Sequence, residues 1–177
     1  MRTTRGLAIA LVSALALGGA VLGANAAGAA PSSPAAPKVD FGWAGSLRVA
    51  TFNASLNRNA AGQLVTDLST GSNAQAGAVA EVIQRVRPDI LLINEFDYVS
   101  QRRAVDLFRD NYLEVGHNGA APIRYPYAYV APSNTGIPSG FDLNNDGQVG
   151  GGDDAFGFGL FEGQYGMVVY SRYPIDT

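Results

Sequence analysis

The segment Asp89–Asp97, DILLINEFD, carries a run of apolar residues that ends on Glu95. A carboxylate at the rim of a buried strand loses solvation unless a metal, a cation or hydrogen bonds compensate it. Glu95 is therefore a candidate functional group. A second run, LRVATFN over residues 47–53, ends on Asn53. An amide oxygen beside a carboxylate makes half of a hard-cation site, the kind that prefers oxygen ligands and keeps waters for a phosphate. On pattern alone each residue has a second reading, Asn53 as a turn residue and Glu95 as the partner of an Arg.

A second constellation lies in GFDLNNDGQVGGGDD. With Asp142 as position 1, Asn144 falls at 3, Asp146 at 5, Gly147 at 6, Gln148 at 7, Val149 at 8 and Asp153 at 12. Oxygens at alternate positions converge on one cation, position 7 offers a backbone carbonyl, and Gly at 6 permits the sharp turn of a calcium loop. The apolar residue at 8 is expected to anchor the loop. Asp153 stands where Glu is usual, as in dockerin-type loops, which the segment resembles. The alternative is a polar, Gly-rich turn, because GGG before Asp153 starts no helix.

Positioning these groups requires a particular set of elements. LRVATFN reads as a first strand. Residues 54–72 read as a long loop with a helical turn near Leu64–Leu68. Asn73 can cap a helix whose apolar positions Val79, Val82, Ile83 and Val86 share one face, and Pro88 ends that helix at Arg87. DILLINE then reads as a central strand covered on both faces. If the two strands are parallel neighbours, Asn53 and Glu95 meet at the sheet edge where α/β folds collect ligand chemistry. Residues 100–113 predict an amphipathic helix capped by Ser100, with Ala104, Leu107 and Phe108 inward and Arg102, Arg103 and Arg109 solvated. Tyr125, Tyr127 and Tyr129 alternate as on one face of a strand.

Composition bounds the class. The 177 residues suit one ordinary domain. The first 26 pair Arg2 and Arg5 with an Ala/Leu-rich run and an Ala24-Asn25-Ala26 exit, the pattern of a cleaved export signal; an uncleaved anchor is the other reading. Residues 27–45 are an Ala/Pro/Ser-rich linker. Twelve Lys and Arg against fifteen Asp and Glu give −3, and losing Arg2 and Arg5 makes the balance about −5. Without a basic run there is no broad electrostatic affinity for nucleic acid. The chain has no cysteine, so an exported domain must be held by packing or metal.

LRVATFN, DILLINEFD and the later GQYGMVVYSRYPI, in this order, resemble the amino-terminal part of the endonuclease/exonuclease/phosphatase superfamily. The resemblance implies an α/β fold (α+β), the first half of a deoxyribonuclease I-like four-layer α/β-sandwich. It implies that Asn53 and Glu95 are catalytic, helping to bind Mg²⁺ or Mn²⁺ and the scissile phosphate. The family's Asp and Asn in G-D-F-N and its His in S-D-H do not occur within residues 1–177. His117 stands in another context and reads as a loop histidine. The domain at 46–177 is accordingly expected to be incomplete at its carboxyl end, inactive and poorly soluble alone, with sheet surface left open.

Together these readings describe a secreted, extracellular phosphoesterase with Mg²⁺ or Mn²⁺ at Asn53 and Glu95. Structural Ca²⁺ is expected in an insertion at about 140–155, held by Asp142, Asn144, Asp146, Gln148 and Asp153. The substrate is a phosphate ester, either a small molecule or a nucleic acid, with the acidic balance favouring the small one. No stable membrane association after signal cleavage and no obligate protein partner are expected. The alternative function is a non-catalytic, calcium-dependent extracellular binding module on the same fold.

Overall fold

A computed structural model describes residues 46–176; the export signal read at 1–26 and the linker read at 27–45 lie outside the described residues. Four strands form one mixed sheet: β1 (Val49–Leu56), β2 (Ile90–Phe96), β3 (Tyr127–Val130) and β4 (Met167–Ser171), in the spatial order β1-β2-β4-β3. β1 and β2 run parallel, with Val49 opposite Ile90 and Asn53 opposite Asn94. β4 is antiparallel to both β2 and β3. The mixed α/β architecture agrees with the fold class expected from the sequence. Among the described residues no helix is long and apolar enough to cross a membrane.

The parallel pair needs a crossover, which α1 (Gln63–Leu68) and α2 (Ala74–Val86) supply. Local chemistry sets the limits of α2. The Asn73 side chain accepts the Ala76 N–H at 3.0 Å, which satisfies one of the first-turn donors. At the other end Arg87 turns left-handed at φ 51° and donates to Ile83 O at 2.8 Å before Pro88. Only part of the expected apolar face is buried. Val79 and Ile83 enter the core, but Val82 and Val86 stay 46% and 45% exposed beside Phe52 and the β1 edge. Ala76, Ala80 and Gln84 take the buried positions instead.

Gln84 is buried because three carbonyls meet it. Its Nε2 donates to Tyr112 O, Leu113 O and Val115 O, and its Oε1 accepts the His117 N–H. His117 stacks on Tyr112 and contacts Tyr112 O through Nε2 at 3.0 Å, a packing role that agrees with its reading as a loop histidine.

The helix expected over 100–113 is broken. A 3₁₀ turn at Ser100–Arg102 has Gln101 and Arg102 left-handed, so Ser100 caps nothing; α3 spans Arg103–Phe108 and a π-helical turn follows at Arg109–Leu113. Within α3 Val105 is buried beside Ala104 and Phe108, while Leu107 is half-buried. Arg109 is not free in solvent, because Asp106 and Asp110 pair with it.

The helices cover one face of the sheet. Leu56, Leu91, Ile93, Val168 and Tyr170 pack there against Leu64, Leu68, Ile83, Phe108 and Tyr112. Phe108 sits at the centre of an aromatic group with Phe96, Tyr112 and Tyr170, ring centroids about 6 Å apart. The opposite face is open among the described residues, with Val49, Met167, Tyr127 and Tyr129 all at least 40% exposed. β2 is thus central, but covered on one face rather than both. Tyr125 precedes β3 and does not share the face of Tyr127 and Tyr129; it is fully buried and donates to Pro88 O at 2.8 Å.

Tyr112 generates a stability prediction. Its buried hydroxyl donates to Thr70 O and accepts the Asn73 N–H, tying the α1–α2 connection to the π-helical turn. Tyr112→Phe strands both partners and is expected to cost about 1–3 kcal/mol in urea unfolding. A loss under about 0.5 kcal/mol would show that the hydroxyl does not hold this junction.

Candidate functional site at the carboxyl ends of β1 and β2

β1 and β2 keep register as far as the Asn53–Asn94 pair, and then a bulge intervenes before Leu56 meets Phe96. Inside it Ser55 and Glu95 both take left-handed backbone, φ 49° and 55°. Such conformations cost free energy for residues bearing a Cβ and persist only where surrounding structure imposes them. They bring the Glu95 carboxylate onto the strand edge beside Asn53.

Three side chains meet that carboxylate. Asn53 Nδ2 donates to Oε1 at 2.7 Å, Asn57 Nδ2 to Oε2 at 3.0 Å, and Ser55 Oγ lies 3.4 Å from Oε2. The adjacency of Asn53 and Glu95 expected from the sequence is therefore present, with one difference. Asn53 Oδ1 accepts the Ser55 N–H at 3.1 Å, so the amide shows its NH₂ rather than its oxygen to Glu95. The Arg-partner reading of Glu95 fails: among the described residues no Lys, Arg or His pairs with it. A half-buried carboxylate held only by neutral donors has no protein cation beside it, which suits a metal ion carrying open positions for water and phosphate.

Behind this group sits a second polar layer. Asp97 is buried, its Oδ2 accepting the Arg58 N–H at 2.7 Å and its Oδ1 the Tyr165 N–H at 3.1 Å. Burial pushes the Asp97 carboxyl above its ordinary range, against the pull of those two donors. The Arg58 guanidinium bridges Asp67 on α1 at 2.5 Å and Asn57 O at 2.7 Å. The sequence analysis missed Ser55, Asn57 and this layer. Nothing periodic marks them, because Ser55, Asn57 and Arg58 reach Glu95 and Asp97 across 38 or more positions.

The family model for endonuclease/exonuclease/phosphatase proteins matches residues 50–177. The chain belongs to this family. Its members are hydrolases acting on phosphate esters, and the matched stretch includes the strand edge bearing Asn53, Asn57 and Glu95. No curated protein and no solved structure matches the chain.

Between β3 and β4 this family member carries the segment with the calcium-loop spacing. Asp142 Oδ1 and Oδ2 accept the N–H groups of Asp146 and Gly147, Asn144 Oδ1 accepts the Asp146 N–H, and Asp146 Oδ1 accepts the Gln148 N–H at 2.8 Å. Gly147 has φ +85°, the conformation its position in the loop demands. Asp142, Asn144, Asp146 and Gln148 are thus brought together, and all the side chains gathered are oxygen-bearing, as a hard cation requires.

Two expectations for this loop are corrected. Asp153 points to solvent, and it is Asp154 that turns inward, accepting the N–H groups of Leu143 and Gly150 at 2.7 Å each. Gly150 and Gly151, with φ 127° and 85°, bend the chain beyond what side-chained residues allow and so move the inward acid one position on. Val149 anchors nothing, being 66% exposed. Among the described residues no three His, Cys, Asp or Glu side chains converge, so either cation would rely on amide, backbone and water oxygens as well.

The Gly150 and Leu143 donors hold the Asp154 carboxyl below its ordinary value of 3.8. The folded value lies below the unfolded one, so the stability it lends is full above the ordinary value and lost as pH falls through the depressed one. Asp154→Asn is expected to speed hydrogen exchange at the Leu143 and Gly150 amides at neutral pH and to remove their further loosening in acid. Unaltered exchange at both amides would remove the carboxylate from this role.

Proposed function

We propose that this family member is an exported, metal-dependent phosphoesterase whose reaction is centred on Glu95. The observation supporting this most strongly is the Glu95 carboxylate itself, which is half-buried, oriented by two amide donors on strained backbone, and has no cationic partner among the described residues. Glu95 would hold Mg²⁺ or Mn²⁺, with Asn53 and Asn57 fixing its two oxygens. Such an ion, when bound, supplies neutralisation of phosphate charge and acidifies a bound water.

The chain's own groups do the orienting. Asn53 and Asn57 each spend one N–H on Glu95, which leaves each amide a second N–H to meet a phosphate oxygen. The left-handed backbone at Glu95 keeps the carboxylate at the edge instead of over the strand. The acidic balance and the absence of a basic run favour a small phosphate ester over long nucleic acid. The loop at 142–154 would take a structural Ca²⁺, held by Asp142, Asn144 and Asp146 with the Gln148 carbonyl, and stabilise an exported domain that has no cysteine.

Glu95→Gln keeps the side-chain volume and removes the charge. It is expected to lower kcat/KM in the full protein at least about a hundredfold, the rate equivalent of the several kcal/mol of charge stabilisation a metal provides. The substrates to use are p-nitrophenyl phosphate and its bis ester, which separate monoester from diester hydrolysis. Undiminished turnover of whichever is cleaved would remove Glu95 as the reacting centre, whereas cleavage of neither ester by the wild-type protein would leave the calcium-dependent binding module as the successor reading.

For the loop, calcium at about a hundredfold excess over its Kd is expected to raise Tm by roughly 5–10 °C in the wild type and not in Asp146→Ala. Equal melting of wild type with and without calcium would refute a structural ion there.

A further inference from the structure

Gln164 lies at the far end of the segment joining β3 to β4, 106 positions from Arg58, yet its side chain is fully buried and spent at both ends. Nε2 donates to Arg58 O at 2.6 Å and Oε1 accepts the Leu160 N–H at 2.6 Å. A side chain of similar volume without an amide would fill the same space and avoid the cost of desolvating one. What the amide adds is a fixed position for the Arg58 carbonyl.

The other groups of that stretch are fixed as well. Asp97 holds the Arg58 N–H, and the Arg58 guanidinium, itself anchored on Asp67, holds Asn57 O. With both peptide units flanking Arg58 immobilised, Asn57 has its side chain left to direct, and that side chain donates to Glu95 Oε2. We propose that Gln164 is a positioning residue for Glu95: through the Arg58 carbonyl it sets the backbone that aims the Asn57 amide at the carboxylate, and so links the order of the 134–164 segment to the catalytic edge. The proposal rests on Glu95 as the reacting centre described above.

The link runs from the segment's own main chain. Leu160 N–H fixes the orientation of the Gln164 amide, while the neighbouring backbone pairs with the strand end through Tyr98 N–H to Gly163 O and Phe96 N–H to Gly166 O. Gly163, at φ +86°, is pressed so close to Tyr98 that a Cβ there would lie 3.0 Å from the Tyr98 carbonyl oxygen. A displacement of residues 160–164 therefore reaches Arg58 by one hydrogen bond and Glu95 by two more steps.

The test reads Asn57 directly, in the full chain, by the ¹⁵N-correlated resonance of its side-chain NH₂, assigned by its disappearance in Asn57→Ala. Glu95→Ala gives the position of the signal without its acceptor. Gln164→Leu is expected to move the wild-type signal more than halfway to that position and to lower kcat about tenfold, the smaller end of what outer-shell partners of metal ligands contribute. Gln164→Met, which keeps the side-chain length and has no donor for Arg58, should move it the same way and serves if the Leu variant fails to fold. Val105→Ala, a core truncation under α3, controls for destabilisation: it should lower Tm and leave the Asn57 signal unmoved. A wild-type Asn57 signal in the folded Gln164 variants, or an equal shift in Val105→Ala, overturns the proposal. The resonance needs neither metal nor substrate, so its outcome stands apart from that of Glu95→Gln in hydrolysis.

Discussion

A negative charge at the end of a central strand is the constraint around which this edge of the protein is arranged. Glu95 follows Ile93, which is completely buried, by two residues, and an unsupported carboxylate so close to the core is unfavourable. The chain answers with geometry. It leaves the β1–β2 register after Asn53, turns Ser55 and Glu95 into left-handed backbone and extends β1 as far as Leu56, so that the carboxylate emerges at the edge and two asparagines reach it. The bulge is affordable because Leu56 and Phe96 resume pairing beyond it with both side chains fully buried.

What could be read from the sequence was what local chemistry decides. Asn73 and Pro88 delimit α2 because a cap and a missing N–H act within one turn. The apolar run of β2 was legible directly, and its parallel pairing with β1, which the sequence raised only as the condition for Asn53 and Glu95 to meet, is present. The misreadings fall where distant contacts override a local pattern. Val82 and Val86 continue the apolar stripe of α2 but reach past the sheet, while Gln84, which the stripe excludes, is buried by three carbonyls from around the π-helical turn. The same turn breaks the periodicity expected through residue 113. Asp153 was placed at position 12 by counting, whereas the inward acid is Asp154, which follows two glycines with positive φ.

The candidate site divides in the same way. Asn53 and Glu95 were visible because each ends an apolar run in the sequence, whereas Asn57, Arg58, Asp97 and Gln164 lie in irregular segments with no period to betray them. Their polarity is explained only by their partners in space. Asp97 shows the cost of this layer most plainly: burial raises its carboxyl pKa, and the Tyr165 and Arg58 amides that it holds oppose that shift without cancelling it. A buried acid with a raised value destabilises the fold at neutral pH relative to a neutral group, so its presence is better understood through the loop geometry it enforces than through stability.

The choice of asparagine around Glu95 carries the functional argument further than the carboxylate alone. Arginine would satisfy the same oxygens with a bidentate bond and cancel the charge, which is how a purely structural carboxylate is commonly kept. Amides hold the two oxygens at 2.7 and 3.0 Å and cancel nothing. Arg58, the cation next to Asn57 in sequence, is turned away to Asp67 and to the main chain of Asn57, where it stiffens the loop and leaves Glu95 alone. The edge is thus built to orient a negative charge while keeping it unneutralised, which is the state in which a carboxylate attracts a divalent ion and, through it, a phosphate.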